Sequence, residues 1–273
     1  MELWSRLIGE CGQAGTVPLV LLHGFTQTNS SWSPLLGAIE HAAPGVGILV
    51  PDAPGHGGSA TVEADLWETA RMLSQLVQDR CDGAASWAGY SMGGRTALHV
   101  ALAFPRQVER LVLISGTAGI DDPQEREARR RADNERAEAI EREGVDHFLT
   151  DWLSQPLFAT LEPKRSDLQD RRQNTAAGLA SSLRKAGAGA QGTLWPRLHE
   201  LGGRSLPTLV IAGALDERYS AIARRLVAGI GQSAELYLVE GAGHACHLEK
   251  PEEVGGLIGE FCRRPQRLKR APG

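Results

Sequence analysis

No apolar run in the chain reaches the length needed to span a membrane. The opening residues, MELWSRLIGE, lack the basic start and apolar stretch of a secretory leader. Cysteine is scarce. Cys11, Cys81, Cys246 and Cys262 are widely spaced and form no C-x-x-C, so they read as free thiols in a reducing cytoplasm. Positive charge is not in excess either. A net charge of −4 gives no footprint for nucleic acid, and neither nucleic acid nor a membrane is expected as a partner. No internal repeat is visible. What remains is 273 residues, 42% of them apolar, which suits one large domain with room for an inserted lobe.

The chain is organised around residues 84–104, AASWAGYSMGGRTALHVALAF. They read as a buried strand, a sharp turn and a helix, with Gly89-Tyr90-Ser91-Met92-Gly93 at the turn. This is a G-x-S-x-G nucleophile elbow. Side chains at Gly89 or Gly93 would clash with neighbouring backbone, and the serine sits on a strained turn. The helix that follows is apolar on nearly every face. It is therefore expected to be buried, with its positive end towards Ser91.

Before the elbow, residues 3–9 read as a first strand, followed by a Gly-Gln-Ala-Gly turn at 12–15. Residues 17–22 are a continuous apolar run, as in a strand buried on both faces. It leads into His23-Gly24-Phe25. The backbone N–H of Phe25, with that of Met92, is the candidate oxyanion hole, while the His23 ring reads as structural. A helix is expected from Ser31 to His41, capped by Ser30 or Ser31. A strand at 46–50 opens into the turn-rich stretch 51–59, PDAPGHGGS, where His56 reads as a loop residue packed near the site. Asp65–Gln78 is amphipathic and begins at a capping aspartate, and 108–114 is the next buried strand. Such alternation demands a parallel sheet with helices on both faces.

The rhythm breaks at Gly116, and no buried-strand run recurs until about Arg204. Charges crowd in from Asp121, where Pro123 suits a first helical turn capped by Asp121 or Asp122. Glu125/Arg129, Glu127/Arg131 and Glu138/Arg142 have helical i,i+4 spacing. On a helical wheel Ala128, Ala132 and Ala139 cluster, with Arg129, Arg136 and Ile140 beside them, so Arg129 is the arginine of 129–131 best able to face inward. The boundaries expected are a core at 1–116, a helical cap at 117–204, the rest of the core at 205–263 and a disordered basic tail at 264–273.

The sheet resumes at 206–213 and ends in Ala214-Leu215-Asp216. A helix at 221–230 and a strand at 234–239 lead to Gly241-Ala242-Gly243-His244, and a last helix runs over 251–262. Ser91, Asp216 and His244 thus stand in the order nucleophile, acid, base, each just past a strand's C-terminal end. A serine hydroxyl is inert at neutral pH until a base takes its proton, and a carboxylate orients that base. His247 is the rival base, and His244 is preferred because it follows a glycine turn after a strand. A metal at His244, Cys246 and His247 finds no further ligand cluster, so no metal and no cofactor are expected. Arg95, one turn past Ser91 on an apolar helix, needs a counter-charge. A cap carboxylate and an anionic substrate both satisfy that need.

Together HGF, D-x-P-G-H-G-x-S, G-Y-S-M-G-G, L-D-E and G-A-G-H resemble the α/β-hydrolase superfamily over nearly the whole chain. The G-Y-S-M-G-G-R stretch, residues 125–133 (EREARRRAD), 151–158 (DWLSQPLF) and Arg172-Gln173-Asn174 resemble the 2-succinyl-6-hydroxy-2,4-cyclohexadiene-1-carboxylate (SHCHC) synthases of menaquinone biosynthesis. That resemblance implies an α/β-hydrolase fold and a lyase that eliminates pyruvate from 2-succinyl-5-enolpyruvyl-6-hydroxy-3-cyclohexene-1-carboxylate. Ser91, activated by His244 and Asp216, would take a proton from substrate carbon, and the Phe25 and Met92 amides would hold the enolate oxygen. Tyr90, Arg95, Arg129, Trp152 and Arg172 would line the pocket and bind the carboxylates of a small molecule. The triad alone leaves a second reading open, a carboxylesterase or carbon–carbon bond hydrolase on a small anionic substrate. The complete triad argues against a mere binding protein on this scaffold.

Overall fold

A computed structural model describes residues 2–11, 17–81, 83–162 and 167–264. The turn expected at 12–15 and the tail beyond Arg264 lie outside these residues. Seven strands form one sheet: β1 (Ser5–Ile8), β2 (Leu19–Leu22), β3 (Ile48–Pro51), β4 (Ala85–Tyr90), β5 (Val108–Ile114), β6 (Thr208–Gly213) and β7 (Ala234–Val239). Their order is β1-β3-β2-β4-β5-β6-β7. β1 runs antiparallel to β3 and every other pairing is parallel. The helices are α1 (Leu36–Ala42), α2 (Leu66–Cys81), α3 (Met92–Ala103), α4 (Pro123–Glu143), α5 (Val145–Leu153), α6 (Leu168–Arg171), α7 (Ala176–Ala186), α8 (His199–Gly203), α9 (Glu217–Ile230), α10 (Cys246–Glu249) and α11 (Pro251–Arg263).

Side chains alternate across a strand, so each apolar run feeds two cores. Val20, Leu22, Leu49, Trp87, Leu111, Leu113 and Val210 pack against Leu73 and Val77 of α2, Leu98 of α3 and Leu226 of α9. Leu19, Leu21, Ile48, Val50, Val112, Ile114 and Ile211 pack against Ile39 of α1 and Ile258 and Phe261 of α11. Continuous apolar strands are what burial on both faces requires. Between β5 and β6 the described residues form helices and turns, without a strand. Ala137 and Ile140 of α4, Phe148 of α5, and Leu179, Ala180 and Leu183 of α7 make a separate small core there. No described helix is long and apolar enough to cross a membrane.

Several local expectations are corrected. The helix expected over 31–41 begins as a 3-10 helix over Asn29–Leu35, with Pro34 inside it, and is α-helical only over Leu36–Ala42. Its cap is Thr28, whose side chain accepts from the Ser30 amide at 3.3 Å. Cys11 and Cys81 are not free thiols but a disulfide, since the turn after β1 meets the end of α2 with a Cα separation of 4.9 Å. Cys246 and Cys262 are free and buried. On α4, Asp122 is the cap. The buried stripe is Asp133, Ala137 and Ile140, set by packing on α7, and Ala128 is exposed. Arg129 pairs with Asp133 rather than Glu125, and Arg142 with its neighbour Glu143 rather than Glu138.

Candidate active site

Ser91 stands between β4 and α3 with φ +50° and ψ −106°, a left-handed conformation that a non-glycine residue adopts only under constraint. Its amide donates to the Ile114 carbonyl at 2.8 Å, tying the turn to β5. The flanking glycines are sterically required. A Cβ on Gly89 would strike the Gly93 carbonyl, and one on Gly93 would strike the Leu22 carbonyl. The Met92 amide opens α3, where no earlier turn supplies an acceptor, and both Met92 and Phe25 line the cavity beside Ser91.

Ser91 Oγ lies 3.3 Å from His244 Nε2, and His244 Nδ1 lies 3.0 Å from Asp216 Oδ2. With the ring proton on Nδ1, the imidazole donates to the carboxylate and its Nε2 can accept from the serine hydroxyl. Asp216 also caps α9 by accepting from the Tyr219 amide at 3.0 Å. Burial pushes its pKa up, but the hydrogen bonds from His244 and the Tyr219 amide outweigh that and hold it below the usual carboxylate value. The Ser115 hydroxyl donates to the His244 carbonyl at 2.8 Å, and the Tyr219 ring centroid is 4.3 Å from the imidazole. His247 is elsewhere, packed on Tyr90 and Trp32, with Nε2 3.3 Å from Gln27 Nε2. Burial first, then the Arg171 charge, pulls its pKa well below the ordinary value.

His23 and His56 brace loops. His23 Nε2 accepts from the Ala53 amide at 3.0 Å, and His56 Nε2 accepts from the Thr26 amide at 3.2 Å. Burial lowers both pKa values, that of His56 to about 3, so both rings stay neutral acceptors. Among the described residues no group of three or more His, Cys, Asp or Glu side chains is placed to hold a metal.

The serine opens into a cavity of about 300 Å³. Among the described residues five arginines line it, Arg95, Arg129, Arg136, Arg171 and Arg218, and no aspartate or glutamate does. Arg95 is only 7% exposed. Its Nη1 donates to the Ala186 carbonyl at 2.8 Å and to Gln191 Oε1 at 3.2 Å, and no described carboxylate is within ion-pairing distance. Burial first, and then the nearby Arg129 charge, bring its pKa down to about 10. Tyr90 and Trp152 also line the cavity. The Tyr90 phenol is raised well above its ordinary pKa by burial, so it is neutral. The Trp152 ring packs on Phe25, Phe148 and Phe158, and its buried indole Nε1 has no hydrogen-bond partner among the described residues.

Arg172, expected at the site, is not among the residues that line this cavity. Its side chain is 44% exposed and its Nε donates to Asp146 Oδ1 at 2.8 Å, away from the cavity. The preceding residue, Arg171, is buried, hydrogen-bonds Thr26 Oγ1, pairs with Asp167 at 3.3 Å and lines the cavity. The short helix α6 turns one of two adjacent arginines in and the other out, and a one-residue slip on a helix is a 100° rotation. Sequence reasoning also assigned no site role to Arg136, Arg218 or Tyr219. The i,i+7 spacing of Arg129 and Arg136 was a usable signal, and Arg218 and Tyr219 lie two and three residues past Asp216.

The alpha/beta hydrolase family matches residues 19–256. The chain belongs to that family. It is 32% identical over 253 residues to the 2-succinyl-6-hydroxy-2,4-cyclohexadiene-1-carboxylate synthase of Klebsiella pneumoniae, spanning 92% of this chain and 95% of the relative. It is 31% identical over 258 residues to the synthase of the same name from Serratia proteamaculans, spanning 93% and 96%. Among solved structures, MenH from S. aureus superposes with a TM-score of 0.85 at 28% identity, over 94% of this chain and 97% of that one. The fold is that of an α/β hydrolase, and the chain is an enzyme of that family.

Proposed function

We propose that this enzyme eliminates pyruvate from 2-succinyl-5-enolpyruvyl-6-hydroxy-3-cyclohexene-1-carboxylate to give SHCHC, a step of menaquinone biosynthesis. One observation carries the reading. Among the described residues, the cavity at Ser91 is walled by five arginines and by no acid. Arg95 has no described carboxylate partner there, and such a wall suits a small molecule with several carboxylates. The relatives named as synthases of SHCHC fit that chemistry.

In this reading Asp216 holds the His244 imidazole with its proton on Nδ1, and Nε2 takes the Ser91 hydroxyl proton. The resulting alkoxide removes the acidic proton from substrate carbon, and the electron pair moves to an oxygen held by the Phe25 and Met92 amides. As the pair returns to form the ring double bond, the carbon–oxygen bond to the enolpyruvyl group breaks. The departing pyruvate enolate takes its proton from the site, and Ser91 and His244 are restored without water being consumed. Arg95 and Arg129 bind carboxylates, while Tyr90 and Trp152 close the apolar side. Residues 117–204 are the cap that carries Arg129 and Trp152 over a core built from 1–116 and 205–263. A cytoplasmic location belongs to the same proposal.

The same relay would serve an esterase, and the assay separates the two. The enzyme is given the enolpyruvyl substrate and pyruvate is followed with a coupled dehydrogenase. The expected result is stoichiometric pyruvate release, lost in Ser91→Ala. Absence of pyruvate, together with fast ester turnover and an acyl group trapped on Ser91, overturns the lyase reading.

A further inference from the structure

Asp133 is the least exposed carboxylate on the long cap helix, at 1%, and it is not part of the relay. Its Oδ1 accepts from Arg129 Nε at 2.8 Å and from Arg136 Nη1 at 3.4 Å. Its Oδ2 accepts from the Gly189 amide at 3.1 Å, in the loop after α7. That loop is pressed onto α4. A Cβ on Gly187 would meet Asp133 Oδ2 at 2.7 Å, and one on Gly189 would strike the Arg130 backbone. The same loop begins beside Ala186, whose carbonyl holds Arg95 Nη1 at 2.8 Å. One buried carboxylate therefore touches two of the cavity's guanidinium groups directly and reaches a third through three residues of backbone.

The arrangement has a physical consequence. Arg129 and Arg136 lie two turns apart on one face of α4, and like charges there repel. A shared counter-ion holds both in one orientation and keeps their remaining N–H groups available to the cavity. It sits behind them, since Asp133 itself does not line the cavity. We propose that Asp133 is a positioning residue that sets the geometry of the arginine wall, and so decides how tightly this cavity holds a polycarboxylate. The proposal rests on the reading of the cavity as an anion site, though not on the lyase chemistry.

The test uses the full chain and two measurements, pyruvate release from the enolpyruvyl substrate and calorimetric binding of tricarballylate, a plain tricarboxylate. Asp133→Asn is expected to raise the KM of the first and the Kd of the second about tenfold, with kcat changing far less. In an Arg129→Ala, Arg136→Ala background the same substitution should add less than about twofold, because the groups it positions are gone. An undiminished loss in that background, or an unchanged Kd in the wild-type background, overturns the proposal. Asp133→Glu covers the case in which the Asn variant does not fold. It keeps the charge and moves it by one methylene, so it should fold and still weaken tricarballylate at least about threefold, and an unchanged Kd overturns the proposal. A chain that binds tricarballylate in this Asp133-dependent way yet releases no pyruvate supports the positioning role and defeats the lyase reading alone. A wild-type chain that binds neither ligand defeats both.

Discussion

Replacing Arg95 with methionine should make the empty enzyme more stable and the working enzyme worse. The guanidinium is 7% exposed, so little solvent screens it. Burial, with the nearby Arg129 charge, lowers its pKa from the ordinary guanidinium value to about 10, a penalty on the charged form of about 3 kcal/mol. A base depressed in this way binds its proton less well in the folded state. The penalty is therefore complete at any pH below about 10 and fades only as pH rises from there towards the ordinary guanidinium value. Methionine removes that penalty and fills similar space. It also orphans the Ala186 carbonyl and the Gln191 amide oxygen, at about 1 kcal/mol each. The balance favours the variant by about 1 kcal/mol, or a melting temperature roughly 2–4 °C higher for a chain of this size. Substrate binding reverses the sign. A carboxylate against Arg95 is a charge-assisted hydrogen bond worth about 1.5–3 kcal/mol, so kcat/KM should fall about 10- to 100-fold. Thermal melts with and without tricarballylate, beside pyruvate release, read both effects. Tricarballylate should raise the melting point of the wild type and do much less for Arg95→Met. A variant that melts lower than wild type when empty, or that loses as much on a neutral ester as on the anionic substrate, refutes the reasoning.

Arg171→Ala and Arg172→Ala should separate cleanly despite adjacency: the first should lower kcat/KM at least about tenfold, while the second, losing only an exposed pair to Asp146, should change stability by under about 0.5 kcal/mol and leave turnover intact. His56 should steepen acid unfolding. Its folded pKa of about 3 lies below the ordinary 6.5, so its contribution is intact above 6.5 and declines by about 1.4 kcal/mol per pH unit towards 3. Urea melts at a series of pH values should show a shallower acid limb in His56→Gln, whose amide oxygen can still accept from the Thr26 amide. Gly93→Ala should drive a Cβ into the Leu22 carbonyl, lowering stability by about 1–3 kcal/mol and lowering activity with it, both measurable on one purified sample.

The legible parts share a reason: they rest on local patterns. Apolar runs such as 19–22 and 108–114 mark strands because a doubly covered sheet needs both faces apolar. The elbow is recognisable because backbone approaches Gly89 and Gly93 too closely for any Cβ. A cap at Asp121 or Asp122 could be anticipated because Pro123 fits only the first helical turn, and Asp122 fills that place. What misled was equally physical. Glu125 and Arg129 have ideal spacing, yet Arg129 turns to the buried Asp133, which offers a stronger field than a solvated glutamate. The alanines of α4 resemble an inner face, but α7 packs against Ala137 and Ile140 instead.

Taken alone, the chain's order of residues determined the alternating α/β core, the turn that presents Ser91 and the ranking of Asp216 and His244 behind it, because each depends on periodicity, sterics or turn chemistry within a few positions. Only the tertiary structure decided which guanidinium groups face the cavity, that Arg171 and not Arg172 is among them, that Asp133 stands behind two of them, and that Cys11 meets Cys81. Those outcomes depend on how helices and loops distant in sequence rotate and pack against one another, and no spacing along the chain encodes that rotation.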